Sequence, residues 1–226
     1  MAICIRQAVS ADFPGIAALW QQAFGDSRES VQRFFESFPN CRSFVAEEAG
    51  RIVSMVHALP PILSPNTPAA YLYAVATAKT HRGKGLCRRL MDFAERELKE
   101  EFVLCVLTPG EPSLFRFYET LGYETSFYRS RNPFPGGEEI SLEEYAALRE
   151  GLLTQSHIVY DEATLRYAQS IYGLVFYKTV TGIAAAGEHY TAEVLPEDLG
   201  GEPYAMAKWL TTSQTLRGAY LGLALE

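Results

Sequence analysis

Residues 3–9 alternate apolar and polar side chains, the two-residue period of a strand with one buried face. The period then changes. Phe13, Ile16, Ala17, Trp20 and Phe24 recur at helical spacing, with Ser10 placed to cap the helix and Gly25 to end it. Residues 29–38 predict a second short helix, stopped by Pro39. Residues 43–48 and 51–59 predict strands joined through Ala49 and Gly50 as an antiparallel hairpin. A proline-rich connector over 60–68 leads to a strand over 70–77.

The helix that starts at Leu86 has a clear pattern. Leu86, Leu90, Phe93, Ala94 and Leu98 form one apolar face, and Arg88–Asp92, Asp92–Arg96 and Glu95–Lys99 pair at i,i+4 on the other. Residues 102–107 are nearly all apolar, as in a strand buried on both faces. Residues 112–121 predict a helix with Gly122 past its end, and 123–130 a further strand. The Asn-Pro-Phe-Pro-Gly-Gly run at 132–137 reads as a linker. Beyond it we expect helices over 142–152 and 162–171 and a strand meander over 174–180, 183–186 and 190–195. A helix over 203–210 and a last strand over 219–225 complete the reading.

The chain has 226 residues, enough for one large domain or two small ones, and its 48% hydrophobic and 21% charged content is ordinary for a globular protein. Arg6 and Asp12 come too early for a signal-peptide core, and no apolar run approaches the roughly 20 residues that span a bilayer. A cytoplasmic protein without membrane contact is the expectation. Cys4, Cys41, Cys87 and Cys105 are widely spaced with no C-x-x-C pair, so buried free thiols are expected and no metal site. The net charge of −7 is uneven. Residues 1–130 hold 14 basic and 14 acidic residues, while residues 131–226 hold 6 and 13. An acidic chain is a poor nucleic-acid binder. The acidity serves solubility, or it attracts a cationic acceptor.

The chemistry concentrates in the stretch from Val75 to Arg88, VATAKTHRGKGLCR, where a strand runs through a basic glycine loop into a helix. Backbone N–H groups at a helix start have no internal partner and attract anions, phosphates above all. A Walker loop is excluded, because Ala78 stands where its first glycine belongs and Gly85 where its Ser or Thr belongs. A dinucleotide fingerprint fits Gly83 and Gly85 but meets Arg88 at its third glycine.

The same residues resemble the acyl-CoA-binding signature R/Q-x-x-G-x-G/A of the GNAT N-acetyltransferase superfamily, with Arg82, Gly85 and Cys87 at its three positions. Cys87 departs from the pattern where Gly or Ala is usual. The resemblance covers residues 3–130 in element order. The run V-A-x-A-x-T-H-R-x-x-G-L-x-R is also similar to the enhanced-intracellular-survival type, which carries a second acetyltransferase-like domain.

The resemblance implies acetyl-CoA as co-substrate. Backbone N–H groups of Gly83, Lys84, Gly85, Leu86, Cys87 and Arg88 would wrap its pyrophosphate, since glycine permits close approach. Arg82, Lys84 and Arg88 would add charge-assisted contacts. Val75, Ala76 and Thr77 would pair their backbone with the pantetheine arm.

Acetyl transfer from a thioester to an amine requires a neutral amine and favours an acid that protonates the departing thiolate. The helix Leu114-Phe-Arg-Phe-Tyr-Glu-Thr-Leu-Gly-Tyr123 resembles the family's helix with a tyrosine beside the CoA sulfur, which makes Tyr118 the general acid. The other reading is a core tyrosine, because Phe115, Tyr118 and Leu121 share a face. For a base, Glu47, Glu48 and His57 compete with a water relay. His81 reads as a support for the loop, and the Glu226 carboxylate is a remote further candidate.

Residues 138–226 lack an R-x-x-G-x-G loop, and their Tyr160–Tyr167 segment resembles the opening of degenerate second domains in the two-domain relatives. The reading is therefore α+β. A GNAT domain over 1–132, a mixed and mostly antiparallel twisted sheet flanked by helices, precedes a smaller, partial GNAT-like α+β domain over 138–226. The expected activity is acetyl-CoA-dependent N-acetylation of a primary amine on a small molecule. A non-catalytic acyl-CoA-binding or regulatory module is the alternative, and a nucleotide-binding protein a third. A homodimer is compatible with the sequence.

Overall fold

In the computed structural model the described residues are 2–211 and 214–223. The first part of the chain forms β1 (Ile3–Gln7), α1 (Phe13–Phe24), α2 (Arg28–Ser37), β2 (Arg42–Glu48), β3 (Arg51–Leu59), β4 (Ile62–Leu63) and β5 (Thr67–Thr77). Next come α3 (Leu86–Leu98), β6 (Leu104–Leu107), α4 (Pro112–Glu119), β7 (Glu124–Arg129), β8 (Glu138–Glu139) and α5 (Leu142–Leu152). The remainder is β9 (Ile158–Val159), α6 (Glu162–Tyr172), β10 (Val175–Lys178), β11 (Ile183–Ala186), β12 (Thr191–Leu195) and β13 (Glu202–Trp209). The chain is α+β. The pairs β1–β2, β2–β3, β3–β5, β7–β13, β8–β10, β10–β11 and β11–β12 are all antiparallel.

Two compact units emerge. The first comprises 1–60, 69–105 and 209–212, and the second 61–68, 106–208 and 213–226. In the first, β1, β2, β3 and β5 lie side by side, and α1 and α3 pack on β3. The β2–β3 hairpin turns at Ala49 and Gly50, both in the left-handed region, as a two-residue turn requires. Ser27 caps α2 by accepting from the Ser30 N–H at 3.1 Å. The start of α3 is fixed by packing. Leu86, 2% exposed, clusters with Ala46 and Val53, and Ile3, Ile5 and Ala78 cover the same patch. Burying a leucine contributes about 1.5–3 kcal/mol, enough to hold the preceding loop in register.

In the second unit β12, β11, β10 and β8 form a sheet against which α5 packs. Ser141 caps α5 and Asp161 caps α6 through the N–H groups of Glu144 and Thr164. A buried ion pair ties the unit together. Arg149, 1% exposed, donates from Nε to Glu193 at 3.1 Å and from Nη1 to the Ile158 carbonyl at 2.9 Å. Tyr145 donates its hydroxyl to the same carboxylate and stacks on Phe176 with ring centroids 4.4 Å apart.

Four expectations are corrected. Residues 203–210 form β13, not a helix. Tyr204, Ala205, Met206 and Ala207 are buried in succession, so the strand lacks the alternation that marks a half-exposed one. Pairing with β7 overrides the helical propensity of Ala, Met and Lys. Ser10 does not cap α1: it opens a short 3-10 turn, and the Asp12 carboxylate accepts from the Val9 N–H at 2.8 Å. Over 219–223 only Ala219 and Tyr220 make strand-like bridges, and the rest of the expected last strand lies outside the described residues. Among the free cysteines, Cys4 is exposed, because Ile3 and Ile5 take the inward positions of β1.

Candidate active site

The glycine loop joins β5 to α3, both in the first unit. A 3-10 turn at Lys79–His81 leads to Arg82, and then Gly83 and Gly85 adopt φ of 72° and 70°. This left-handed backbone costs an ordinary residue about 1–2 kcal/mol and glycine almost nothing. A Cβ built on either glycine meets nothing within 4 Å. The main chain therefore presents a bare, open face at the start of α3. Gly85 is the residue before the helix, so the N–H groups of Leu86, Cys87 and Arg88 belong to the first helical turn, which precedes the intrahelical hydrogen-bond ladder.

Arg82, Gly83, Lys84 and Gly85 are exposed. Arg82 donates from Nε to the Thr77 carbonyl at 3.0 Å, and Lys84 donates from Nζ to the Thr80 carbonyl at 2.9 Å. Both side chains are thus folded back along the loop and hold its shape. His81 bridges the loop to β2: one ring nitrogen meets Glu48 at 3.0 Å and the other the Thr80 hydroxyl at 2.8 Å.

The strand before the loop carries a feature the sequence does not show. Met55 pairs with Ala76 and His57 with Tyr73, so Val56 alone faces both Ala74 and Val75. Ala74 takes φ of 50° to make this bulge. No glycine marks it, and a non-glycine residue in that region is a strained, site-type conformation. Beyond the bulge Val75 and Thr77 are half-buried and Ala76 is buried. Ser54 donates to the Ala76 carbonyl and shares a hydrogen bond with the Thr77 hydroxyl, both at 2.8 Å. The Cys87 thiol joins this set through Thr77, and burial pushes it up to about 11. Cys87 is therefore a neutral, half-buried thiol beside Thr77.

Tyr118 lies on α4 in the second unit and is buried, 6% exposed. Its ring meets that of Tyr123 edge-on at 5.9 Å, and its carbonyl accepts from the N–H groups of Leu121 and Tyr123.

The candidate bases have other partners. Glu47 accepts from Arg6 at 2.7 Å, and Arg6 also grips Asp12 at 2.6 and 2.8 Å. The His81 hydrogen bond holds Glu48 below the usual carboxylate range. His57 is fully buried, and burial pushes it down to about 3. Its Nδ1 meets the Ser43 hydroxyl at 2.8 Å, while Nε2 has no hydrogen-bond partner. Trp20, Phe34 and Phe35 enclose it, with ring centroids 5.1, 5.8 and 5.4 Å away. His57 is a neutral core imidazole. Glu226 lies outside the described residues.

An open glycine loop at a helix start, a bulged strand before it and a tyrosine-bearing helix after it accord with family membership. The Acetyltransferase (GNAT) domain family matches residues 4–126, over half of the 226-residue chain. The chain belongs to this family and is an N-acetyltransferase. Its fold is similar to that of a conserved protein of unknown function from Enterococcus faecalis V583, described as a probable N-acyltransferase. The identity is 15% over 93% of this chain and 73% of that chain, with a TM-score of 0.68. It is also similar to the GCN5-related N-acetyltransferase from Kribbella flavida, at 15% identity over 81% of this chain and 53% of that chain, TM-score 0.64. The GCN5-related N-acetyltransferase from Anabaena variabilis ATCC 29413 matches at 16% identity over 84% of this chain and 56% of that chain, TM-score 0.63. At these identities the likeness shows the fold. No curated protein matched the chain.

Proposed function

We propose that the protein transfers the acetyl group of acetyl-CoA to a primary amine on a small molecule in the cytoplasm, without nucleic-acid or membrane partners. The observation that carries this reading is the open, left-handed glycine pair at the start of α3. Its exposed backbone and the flanking cations suit a pyrophosphate. Residues Gly83 to Arg88 would bind that group, Arg82, Lys84 and Arg88 would add charge, and Val75 to Thr77 would pair with the pantetheine arm. The amine nitrogen attacks the thioester carbonyl, the carbon–sulfur bond breaks, and Tyr118 gives its hydroxyl proton to the thiolate. The amine loses its proton to water, since Glu47, Glu48 and His57 are engaged or enclosed. Residues 138–226 form the smaller domain of this reading.

Following free thiol release across a panel of polyamines, aminoglycosides and amino acids tests the activity. Tyr118→Phe is expected to lower kcat by about 10²-fold while acetyl-CoA affinity stays within twofold. An unchanged kcat removes Tyr118 as the acid. Acetyl-CoA binding without thiol release from any amine leaves a binding module instead.

A further inference from the structure

The second unit contains a pocket of about 220 Å³ that none of the acetyl-transfer residues lines. Its walls include Arg129, Arg131, Tyr172, Tyr190, Thr191 and Tyr204, with no acidic side chain lining it among the described residues. Arg129 ends β7, and its side chain is only 6% exposed. Its Nη1 donates two long hydrogen bonds, to the Tyr204 hydroxyl at 3.4 Å and the Gly222 carbonyl at 3.3 Å. Its Nε is buried with no hydrogen-bond partner. The facing carboxylate oxygen, Asp198 Oδ2, stands 3.9 Å from that nitrogen, outside hydrogen-bond reach. Asp198 is already engaged, accepting from the N–H groups of Val194 and Asn132 and from the Asn132 side-chain amide.

A guanidinium does not lose its proton in a protein, so Arg129 is a buried cation with donors only partly used. An unsatisfied buried donor is costly, more so when charged, and calls for an explanation. Asp198 compensates that charge only at long range, and Arg129 lines the pocket. Arg131 adds a second, exposed cation, and both guanidiniums lie against the ring of Tyr204, at 4.8 and 6.0 Å from its centroid.

The opposite wall is built rather than incidental. Tyr190, 45% exposed, donates its hydroxyl to the Tyr172 carbonyl at 3.1 Å, and its own carbonyl accepts from the Gly187 N–H at 2.9 Å. The ring lies directly over Gly187: a Cβ there would fall 2.5 Å from Tyr190 Cε1 and 3.0 Å from the Tyr172 carbonyl oxygen. Only glycine lets this ring lie flat in that place. The pocket thus joins cationic donors to tyrosine faces.

We propose that this pocket is a binding site for a small monoanion with a flat apolar body, an aromatic monocarboxylate. The guanidinium fork matches a carboxylate. The nearby Asp198 charge disfavours a dianion such as phosphate. A volume near 220 Å³ has room for a single-ring acid. Lining residues come from β7, α6, β12 and β13, so an occupant links four elements of the unit and stabilises it.

Calorimetric titration of the full chain with benzoate, benzamide and inorganic phosphate tests this, with thermal melting in parallel. Benzoate is expected to bind at one site per chain and raise Tm, with benzamide and phosphate at least about tenfold weaker. Arg131→Gln, at an exposed position, is expected to fold normally and weaken benzoate about tenfold. Gly187→Ala, which displaces the Tyr190 ring, is expected to weaken benzoate and benzamide together. No benzoate binding at millimolar concentrations overturns the proposal. So does equal binding of benzamide, unchanged benzoate affinity in Arg131→Gln, or phosphate binding in place of benzoate. None of these outcomes depends on acetyl transfer, which is read separately by thiol release.

Discussion

The glycine loop of the first unit and the arginine cluster of the second both present positive charge, by opposite means. The loop is exposed, contiguous in sequence and made largely of backbone: two left-handed glycines and a helix start. The cluster is buried and assembled from side chains far apart in sequence. Arg149 reaches Glu193 across 44 positions, and Arg129 reaches the Gly222 carbonyl across 93. A backbone site tolerates water and screening, and its occupant can leave. A buried charge must be matched continuously, by a carboxylate or by a ligand, or the unit loses stability.

The largest expected effect breaks the buried side of this contrast. Glu193→Ala leaves Arg149 charged and enclosed, and should cost about 3–5 kcal/mol in denaturant unfolding. A loss under about 1 kcal/mol would mean that water reaches Arg149 and that the cluster is not a lock. Gly85→Val tests the exposed side. A β-branched residue at φ of 70° should raise the KM for acetyl-CoA about tenfold, with only about 1–2 kcal/mol lost in stability. Equal KM in the variant would show that the loop backbone does not contact the co-substrate. At neutral pH the smallest effect concerns His57. The folded protein holds it neutral down to about pH 3, while in the unfolded chain it takes a proton near pH 6.5. The unfolded state therefore binds more protons below pH 6.5. Stability is lost as pH falls from 6.5 towards 3, by about 1.4 kcal/mol per unit. His57→Phe should remove that part of the slope, measured as the wild-type minus variant difference in unfolding free energy. Parallel slopes would show that His57 is protonated in the fold.

Much of the fold was legible because the deciding interactions are local. The helical spacing from Leu86 to Leu98 and the span from Leu142 to Leu152 match α3 and α5, and Ala49-Gly50 marks its turn. The open form of the loop follows from glycines and a helix start within a few positions. The bulge at Ala74 was not legible, since alanine carries no signal for a positive φ; register against β3 creates it. Residues 203–210 misled because burial on both faces erases alternation, and pairing with β7 decides the strand. The engagement of Glu47 by Arg6 across 41 positions, and the enclosure of His57, likewise depend on contacts that no spacing encodes.

By itself the sequence determined most of the elements, the left-handed glycine loop and the tyrosine-bearing helix. Each is set by backbone geometry and side-chain period over a few turns of chain. Only the tertiary structure decided which charges are free and which are locked. It engaged Glu47 with Arg6 and Glu48 with His81, set Cys87 beside Thr77, and left the Arg129 Nε buried without a hydrogen-bond partner among the described residues. Partnership and burial are properties of residues brought together from distant positions, and those alone fix what a charged or polar side chain can do.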